Sequence, residues 1–516
     1  MHIGIDVGGT NTDAVLMSGS RVLASVKRAT TPDVTSGIEG ALAALAGSRE
    51  FALESVQAVM IGTTHFTNAV VAATGLARTG VVRLGLPAAA GVPPMSDWPR
   101  RLVRAVGGHV YQAHGGNEFD GRVLSDLRPG ELREIAGRFA EAGITAVAIS
   151  SIFAPVAADM ELAAAEIFRK ELPEAKISLS HEIGRIGLLE RENATIINAC
   201  LLDVADRITA AFGTALANAG IGAPLYLSQN DGTLMDVDYA RSYPVATFAS
   251  GPTNSMRGAA LLSGLTDCVV VDIGGTTSDV GMLVGGFPRP AGTEVDIGGV
   301  RTNFRMPDVV SVGIGGGSLV RTEPGLSAGP DSVGHALTSR ATVFGGSELT
   351  ATDLAVAGGL ADIGDRSLVA GLDRAMVRAG LELIRRRVAD TADTMRTSSE
   401  PVPVVLVGGG IVLVPDDLPG FDTVLRPGHA EVANAIGAAI AQVGGEVDRI
   451  VALGRQTREQ VLDTARTEAV ERAVAAGAVP ESVRIVEVDE VPIAYLPGNS
   501  VRVRVKAVGD LELEAP

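Results

Sequence analysis

The chain has 516 residues, 46% of them hydrophobic, enough for a large core divided over roughly two to four domains. A net charge of −17 and a pI near 4.9 exclude a surface that tracks nucleic-acid phosphates, which needs clustered Lys and Arg. The two cysteines, Cys200 and Cys268, stand far apart in apolar runs, which excludes a disulfide framework or a CxxC metal or cluster site and marks both as core residues.

In chain order, HIGIDV (2–7) reads as a strand with no basic and long apolar leader before it, so a reducing cytoplasm is expected. NEFDGRVLSDL (117–127) carries an Asp-Gly pair, Asp120–Gly121, between strand-like flanks and predicts a hairpin. GELREIAGRFAEAG (130–143) and AADMELAAAEIFRKEL (157–172) space their apolar residues by three and four with charges opposite, as surface helices do. The apolar stretch AGITAVAISSIFAPVAA (142–158) is short for a membrane span and broken by Gly, Ser and Pro. It reads as a buried strand and its exit loop, so no transmembrane segment is expected. VVVDIGG (269–275) and PVVLVGGG (403–410) are further strands ending in glycine, with a long helix between them at 374–395. From about Gly444 the chain changes to a charged helix near 457–476 and the short strands RIVEVDEV and VRVRVKAV, a small α+β appendage. This alternation of strands and helices predicts an α/β fold.

One stretch occurs twice: DVGGTNTDAVLM from Asp6 and DIGGTTSDVGML from Asp272. In each, a strand delivers an Asp, then a glycine turn, then hydroxyl or amide side chains, then a second Asp seven residues after the first, Asp13 and Asp279. Glycines let backbone N–H groups close on an anion such as phosphate, and Thr10, Asn11, Thr276 and Thr277 add donors. An Asp beside phosphate repels it unless a divalent cation lies between, and Mg²⁺ held by one or two carboxylates suits that role. A single copy is equally an ordinary hairpin turn. Two copies, in halves each large enough to be a domain, predict two clamps on one Mg–nucleotide. The sequence has no Gly-Lys pair, so a P-loop is excluded.

Other candidates are weaker. Gly408, Gly409 and Gly410 follow a strand and can let an adenine or ribose lie against backbone. His109 and His114 offer a metal pair, but without an acidic partner or helix context they read better as a solvated loop. His65, in TTHFTN, reads equally as structural or functional. Asn230 and Asp231 in SQNDGT either line a substrate or make an ordinary turn. Arg257 can meet a phosphate or an acidic substrate group. AEVANAIGAAIA (430–441) reads as a closely packed helix near an interdomain hinge rather than a binding motif.

The paired turns and the later GGG segment resemble the sugar kinase, Hsp70 and actin superfamily, and more specifically the hydantoinase/oxoprolinase family, in its A subunit. IGTTHFTNAVV (61–71), LERENATIINACL (189–201), LSQNDGTLM (227–235), FASGPTNSMRGAA (248–260), VGIGGGSLV (312–320), GPDSVG (329–334), LTATDL (349–354) and AEVANAIGAAIAQVGGEVD (430–448) stand in family order. The resemblance implies two RNase H-like, actin-like ATPase domains around a nucleotide cleft. The expected divisions are 1–190 with the first phosphate turn, 191–443 with the second turn and the adenosine segment, and 444–516 as the appendage.

Carried over, Asp6, Gly8, Gly9, Thr10 and Asn11 form the first phosphate turn and Asp272, Gly274, Gly275, Thr276 and Thr277 the second. Asp6 and Asp272 act on the metal or the attacking group, and Gly408–Gly410 lie near the adenosine. The implied activity is ATP- and Mg²⁺-dependent activation and hydrolysis of a cyclic amide (a hydantoin, 5-oxoproline or related lactam), with a B-type partner subunit and an oligomeric assembly. A small-molecule kinase and a non-catalytic nucleotide switch are the alternatives on this scaffold, whereas the superfamily's radical-enzyme activases need a cluster that two distant cysteines cannot hold. Two departures bear on the substrate: Ile61 stands where the family usually has His before GTT, and HALTSRATVFGG replaces a stretch containing Pro and Cys. The chain also ends sooner than full-length A subunits.

Overall fold

β1 (His2–Val7) turns back as β2 (Asn11–Ser18) and β3 (Arg21–Ala29), and α1 (Val34–Ser48) returns across them to cover one face. These elements belong to a computed structural model that describes residues 1–9, 11–29, 34–48, 51–292, 295–304, 306–440, 442–453, 456–493 and 500–513. β4 (Ala58–Thr63) lies parallel beside β1, and every residue of both strands is buried, as a strand covered on two faces requires. After α2 (His65–Ala72) the chain leaves this sheet. β5 (Thr79–Leu86), β6 (His109–His114), β7 (Ala146–Ser151) and β8 (Lys176–Leu179) form a separate parallel sheet in the order β6-β5-β7-β8, with α3 (Arg100–Val106), α4 (Pro129–Glu141) and α5 (Asp159–Glu171) as crossovers.

Past the single turn α6 (Ser180–Ile183), the long helix α7 (Leu188–Asn218) packs against α1 on one side and β7 on the other, joining the two sheets. A buried ion pair fixes it there. Arg83 on β5 meets Glu192 on α7 at 2.5 and 2.8 Å, and Ser150 on β7 donates to the same carboxylate at 2.6 Å. β9 (Leu225–Ser228) and β10 (Leu234–Asp236) then rejoin the first sheet, and α8 (Val237–Ser242) leads to α9 (Ser250–Ser263).

α9 carries the chain into a second body. There β11 (Cys268–Ile273), β12 (Ser278–Val284) and β13 (Phe287–Pro288) are followed by the ribbon β14 (Val295–Ile297) and β15 (Val300–Thr302), then β16 (Val309–Val312), which pairs with β12. A second ribbon, β17 (Ser318–Arg321) and β18 (Ser327–Ser332), precedes α10 (Leu337–Arg340), α11 (Ala351–Ala357) and α12 (Arg374–Thr394). β19 (Val404–Val407) and β20 (Val424–Leu425) complete the sheet, β19 lying parallel to β11. The repeat in the sequence is thus a repeat in topology: a hairpin, β1-β2 or β11-β12, with a parallel strand, β4 or β19, beside its first member.

α13 (Ala433–Ala438) returns to pack on β1, and the chain ends with β21 (Gln442–Ala452), α14 (Arg458–Ala475), β22 (Arg484–Pro492) and β23 (Ser500–Asp510). The expected C-terminal α+β unit is present, but its strands do not stand apart. Among the described residues they extend the first sheet, whose order is β22-β23-β21-β10-β9-β4-β1-β2-β3. β9 and β10, in the stretch expected at the start of the second domain, likewise pair into the first sheet. Apolar periodicity announces a strand but not which sheet edge it joins.

Other local expectations meet mixed outcomes. At Asp120–Gly121 a turn is closed by Glu118 N–H donating to the Arg122 carbonyl at 2.7 Å, with a single bridge, Asn117 to Val123, beyond it. His109 and His114 are in β6 rather than a loop. Five residues apart, they point to opposite faces and meet Arg78 and Glu131 respectively, so they form no metal pair. Both cysteines are buried and unpaired. No helix among the described residues is long and apolar enough to cross a membrane.

Candidate nucleotide site

The two hairpins close in the same way. Gly8 N–H donates to the Asn11 carbonyl at 3.0 Å, and Gly274 N–H to the Thr277 carbonyl at 2.9 Å. In each hairpin the register sets the two acids directly opposite one another, Asp6 against Asp13 and Asp272 against Asp279. Like charges across a ladder destabilise it. A glycine beside each first Asp makes room for its carboxylate: a Cβ on Gly62 would come within 2.6 Å of Asp6 Oδ1, and one on Gly408, at φ +90°, would collide with Asp272 Oδ1.

Both hairpin tips face one cavity of about 560 Å³. Asp6, Gly8, Gly9 and Asn11 line it from the first body; Asp272, Gly274, Gly275, Thr276, Thr277 and Gly408–Gly410 line it from the second. Thr10 lies outside the described residues. The second turn is braced from behind, where Gly316 and Gly317 N–H groups donate to the Gly274 and Gly275 carbonyls at 3.0 and 2.7 Å. This assigns a part to the GIGGGS run, which a sequence reading leaves as a motif without a role.

Helices α9 and α13 cross at the junction of the bodies, so close that a Cβ on Gly258 would strike the Ala433 carbonyl and one on Gly437 the Asn254 carbonyl. Each helix serves one hairpin. Ser255 of α9 donates to Asp272 Oδ2 at 2.5 Å, and Asn434 of α13 donates at 2.9 Å to both Asp6 Oδ2 and Asp13 Oδ2. The segment expected only to pack therefore also presents a polar group to the site. The first turn of α9, with Gly251 and Pro252, borders the cavity, and its N-cap Ala249 supplies no side-chain acceptor. Its leading N–H groups and dipole are suited to an anion.

The electrostatics are lopsided. Burial is the chief cause that raises Asp6 to about 7, helped by the Asp13 charge, and raises Asp272 to about 6, helped by Asp279. Asp13 and Asp279 are raised too, again chiefly by burial. Against them the described lining holds one lysine and no arginine. Lys27 on β3 donates to Asp13 Oδ2 at 2.6 Å, and its side chain reaches across the cavity to within 3.9 Å of a Cβ placed on Gly409. Lys27, Asn434, Ser255 and the α9 N-terminus were not singled out by the sequence reading.

Asp6 Oδ1 and Asp13 Oδ1 are buried with no hydrogen-bond partner among the described residues. Orphaned carboxylate oxygens in an acidic cavity fit a divalent cation. Among the described residues no three His, Cys, Asp or Glu side chains converge to hold a metal alone. Mg²⁺ takes one or two carboxylates and completes its shell with water and phosphate oxygens.

The proposed substrate residues fall elsewhere. His65 opens α2 beside the cavity residue Thr64, but its Nδ1 pairs with Thr63 Oγ1 at 2.7 Å and burial lowers its pKa. Arg257 faces away from the cleft: it donates to the Gly286 carbonyl at 2.6 Å and lies 4.1 Å over the Phe287 ring. The expectation that it meets a phosphate is corrected by this packing; Ser255, two residues earlier on α9, is the one turned to the cleft. Asn230 and Asp231 border a different cavity.

Two related α/β bodies, each offering an acid-paired glycine hairpin to a shared cleft, define an actin-like ATPase architecture. The chain belongs to the hydantoinase/oxoprolinase family: the model of the hydantoinase/oxoprolinase N-terminal region matches residues 2–172, and that of hydantoinase/oxoprolinase matches residues 191–407. It is 28% identical over 421 residues to caprolactamase subunit alpha of Pseudomonas jessenii, covering 75% of this chain and 58% of that protein. The chain thus spans little more than half the length of this relative. The solved ATP-dependent caprolactamase from Pseudomonas jessenii has a similar fold, with a TM-score of 0.78 at 19% identity over 100% of this chain and 88% of the other. The nucleotide-free acetone carboxylase structure superposes with a TM-score of 0.70 at 18% identity over 99% and 88%.

Proposed function

We propose that this protein uses Mg–ATP to activate and hydrolyse a cyclic amide, acting with a B-type partner subunit. The observation that carries the nucleotide part is the pair of hairpins whose four acids, Asp6 and Asp13 buried and Asp272 and Asp279 half-buried, face one cavity with a single lysine among its described lining. Family membership and the likeness to a caprolactamase subunit support the amide part.

Asp6 and Asp272 would hold Mg²⁺, which supplies charge neutralisation for the phosphates when bound. The N–H groups of Gly9 and Gly275 at the two turn tips and those of the α9 N-terminus are available to bind phosphate oxygens, Gly408–Gly410 to lie along the nucleoside, and Lys27 to leave Asp13 for the transferring phosphoryl group. Asn434 and Ser255 hold the two first acids in place, so little reorganisation is needed at the moment of reaction.

An amide carbonyl is resonance-stabilised and its amine leaves poorly. Transfer of the γ-phosphoryl to the amide oxygen, with ADP as leaving group, makes the carbon open to water. Over the whole reaction two waters are consumed: ring amide and ATP give an amino acid, ADP and phosphate. The activated amide must be kept from premature hydrolysis, a task suited to a cleft between two bodies joined by crossing helices. Of the described residues bordering the nucleotide cavity, Ser255 donates its hydroxyl to Asp272 and not to a histidine, so it is not set up as a hydrolytic nucleophile, and a second subunit belongs to the reading.

The test is a coupled ADP-release assay over cyclic amides, sugars and short acids, with and without proteins encoded beside this one. Slow basal turnover accelerated by a lactam or hydantoin, with a ring-opened product, supports the reading. Stimulation by a sugar or acid that leaves a stable phosphorylated product replaces it with a kinase. Tight ATP binding with no stimulation across the panel replaces it with a nucleotide switch.

A further inference from the structure

Away from the nucleotide cleft, a second cavity of about 330 Å³ opens where three distant stretches meet: the turn after β9, the β12–β13 region with Met306 and Pro307, and strands β22 and β23. Its walls are apolar, formed by Phe287, Pro288, Pro290, Met306 and Pro307. Asn230 borders it and is only 8% exposed. The backbone of Asn230 is engaged, its N–H donating to the Ala246 carbonyl at 2.7 Å and its carbonyl accepting from Thr253 Oγ1 at 3.0 Å. Its side-chain amide has no hydrogen-bond partner among the described residues. The amide is reached from the cavity, which Asn230 lines, so its donor and acceptor are open to a ligand there.

The charges beside Asn230 cancel. Asp231 and Lys506 form an ion pair at 2.8 Å, with side chains 13% and 3% exposed. At the edge Arg289 pairs with Asp308 at 2.7 Å, and Glu487 with Arg504. A pocket with apolar walls and a few polar groups, its charges paired with one another, is the usual form of a small-molecule site, and junctions between bodies are a usual place for one. The primary amide of Asn230 presents a donor and an acceptor along one edge. A cyclic amide presents the complementary pair, because the ring forces N–H and C=O onto the same side.

We propose that this cavity binds a compact, uncharged cyclic amide through a two-hydrogen-bond pairing with Asn230, at a site separate from the nucleotide cleft. The inference stands on the cavity and does not rest on the hydrolytic reading. Ser255 faces Asp272, whereas Thr253 and Arg257, two residues to either side on α9, face Asn230 and Phe287. Along β12, the five residues from Asp279 to Val284 span roughly 17 Å at about 3.3 Å each. That separation is too great for phosphoryl transfer to a ligand bound here. Of the elements that carry the nucleotide-site residues, the cavity touches β12 alone, through Val284 at the end of the strand away from Asp279.

Calorimetric titration of nucleotide-free protein with 2-piperidone and its N-methyl analogue tests this. Saturable binding of 2-piperidone is expected, weakened at least tenfold by N-methylation and by Asn230→Leu, abolished by Val284→Trp, and unchanged in Asp272→Asn. Val284 lines the cavity and is 51% exposed, so the tryptophan blocks the mouth without entering the core. The proposal is overturned if 2-piperidone does not bind, if its binding survives Val284→Trp, if the N-methyl analogue or ring-opened 5-aminopentanoate binds as well, or if Asp272→Asn removes it.

Discussion

Exchanging Asp6 for asparagine removes a charge and leaves a group of the same shape, still able to accept from Asn434. In the wild-type protein burial and the facing Asp13 raise the Asp6 pKa from 3.8 to about 7. The folded state therefore keeps a proton that the unfolded chain gives up near pH 4. Stability falls as pH rises between about 4 and 7, and the full penalty is present above 7. A shift of about 3 units corresponds to roughly 4 kcal/mol, an upper bound because water and neighbouring groups relax around the charge. We expect Asp6→Asn to raise the stability of the nucleotide-free, Mg²⁺-free protein by roughly 1–3 kcal/mol at pH 8. From the two pKa values the gain at pH 5.5 should be about half as large. Thermal melting of both proteins in chelator at the two pH values reads this as an upward shift of a few degrees. The same variant should lose ATP turnover by orders of magnitude. A variant that melts below wild type at pH 8, or a gain equal at both pH values, would refute the electrostatic reasoning.

Lys27→Met should lower ATP turnover by roughly a hundredfold, the scale of losing one preorganised charge partner, without loss of secondary structure by circular dichroism. Gly437→Ala drives a Cβ into the Asn254 carbonyl at the α9–α13 crossing; a loss of about 1–3 kcal/mol is expected in denaturant unfolding, with weakened nucleotide binding. Arg83→Met strands the buried Glu192 carboxylate with Ser150 as a remaining partner and should cost about 3–5 kcal/mol, read as a lowered melting temperature at pH 7.

The hairpins were legible because their signal is local. Strand, glycine turn, hydroxyls and returning strand lie within a dozen residues, and an Asp-to-Asp spacing of seven already sets the two acids opposite each other once the turn is tight. The partners of those acids are not local. Asn434 is 428 residues from Asp6, and nothing near it announces the contact beyond its being the polar residue of an otherwise small and apolar ANAIGA segment. Ser255 and Arg257 sit two apart on α9, and only the helix's rotation against β11 and β12 decides that the serine reaches the cleft. Asn230 and Asp231 read as turn residues and are so: Asp231 Oδ1 accepts from Thr233 N–H at 2.9 Å, an ordinary closure of the turn. Their cavity exists because β22 and β23 come back beside them from the chain's far end, a pairing that strand propensity does not encode.

The central claim is that the twin hairpins clamp one Mg–nucleotide, and isothermal titration of the purified chain with ATP tests it most directly. With Mg²⁺ present the account predicts a single site per chain, weakened severely by chelator and by Asp272→Asn. At ligand a hundredfold above Kd that site should add about 2.7 kcal/mol of stability. An absence of binding at millimolar Mg–ATP, or isotherms that are the same with and without Mg²⁺, would contradict it.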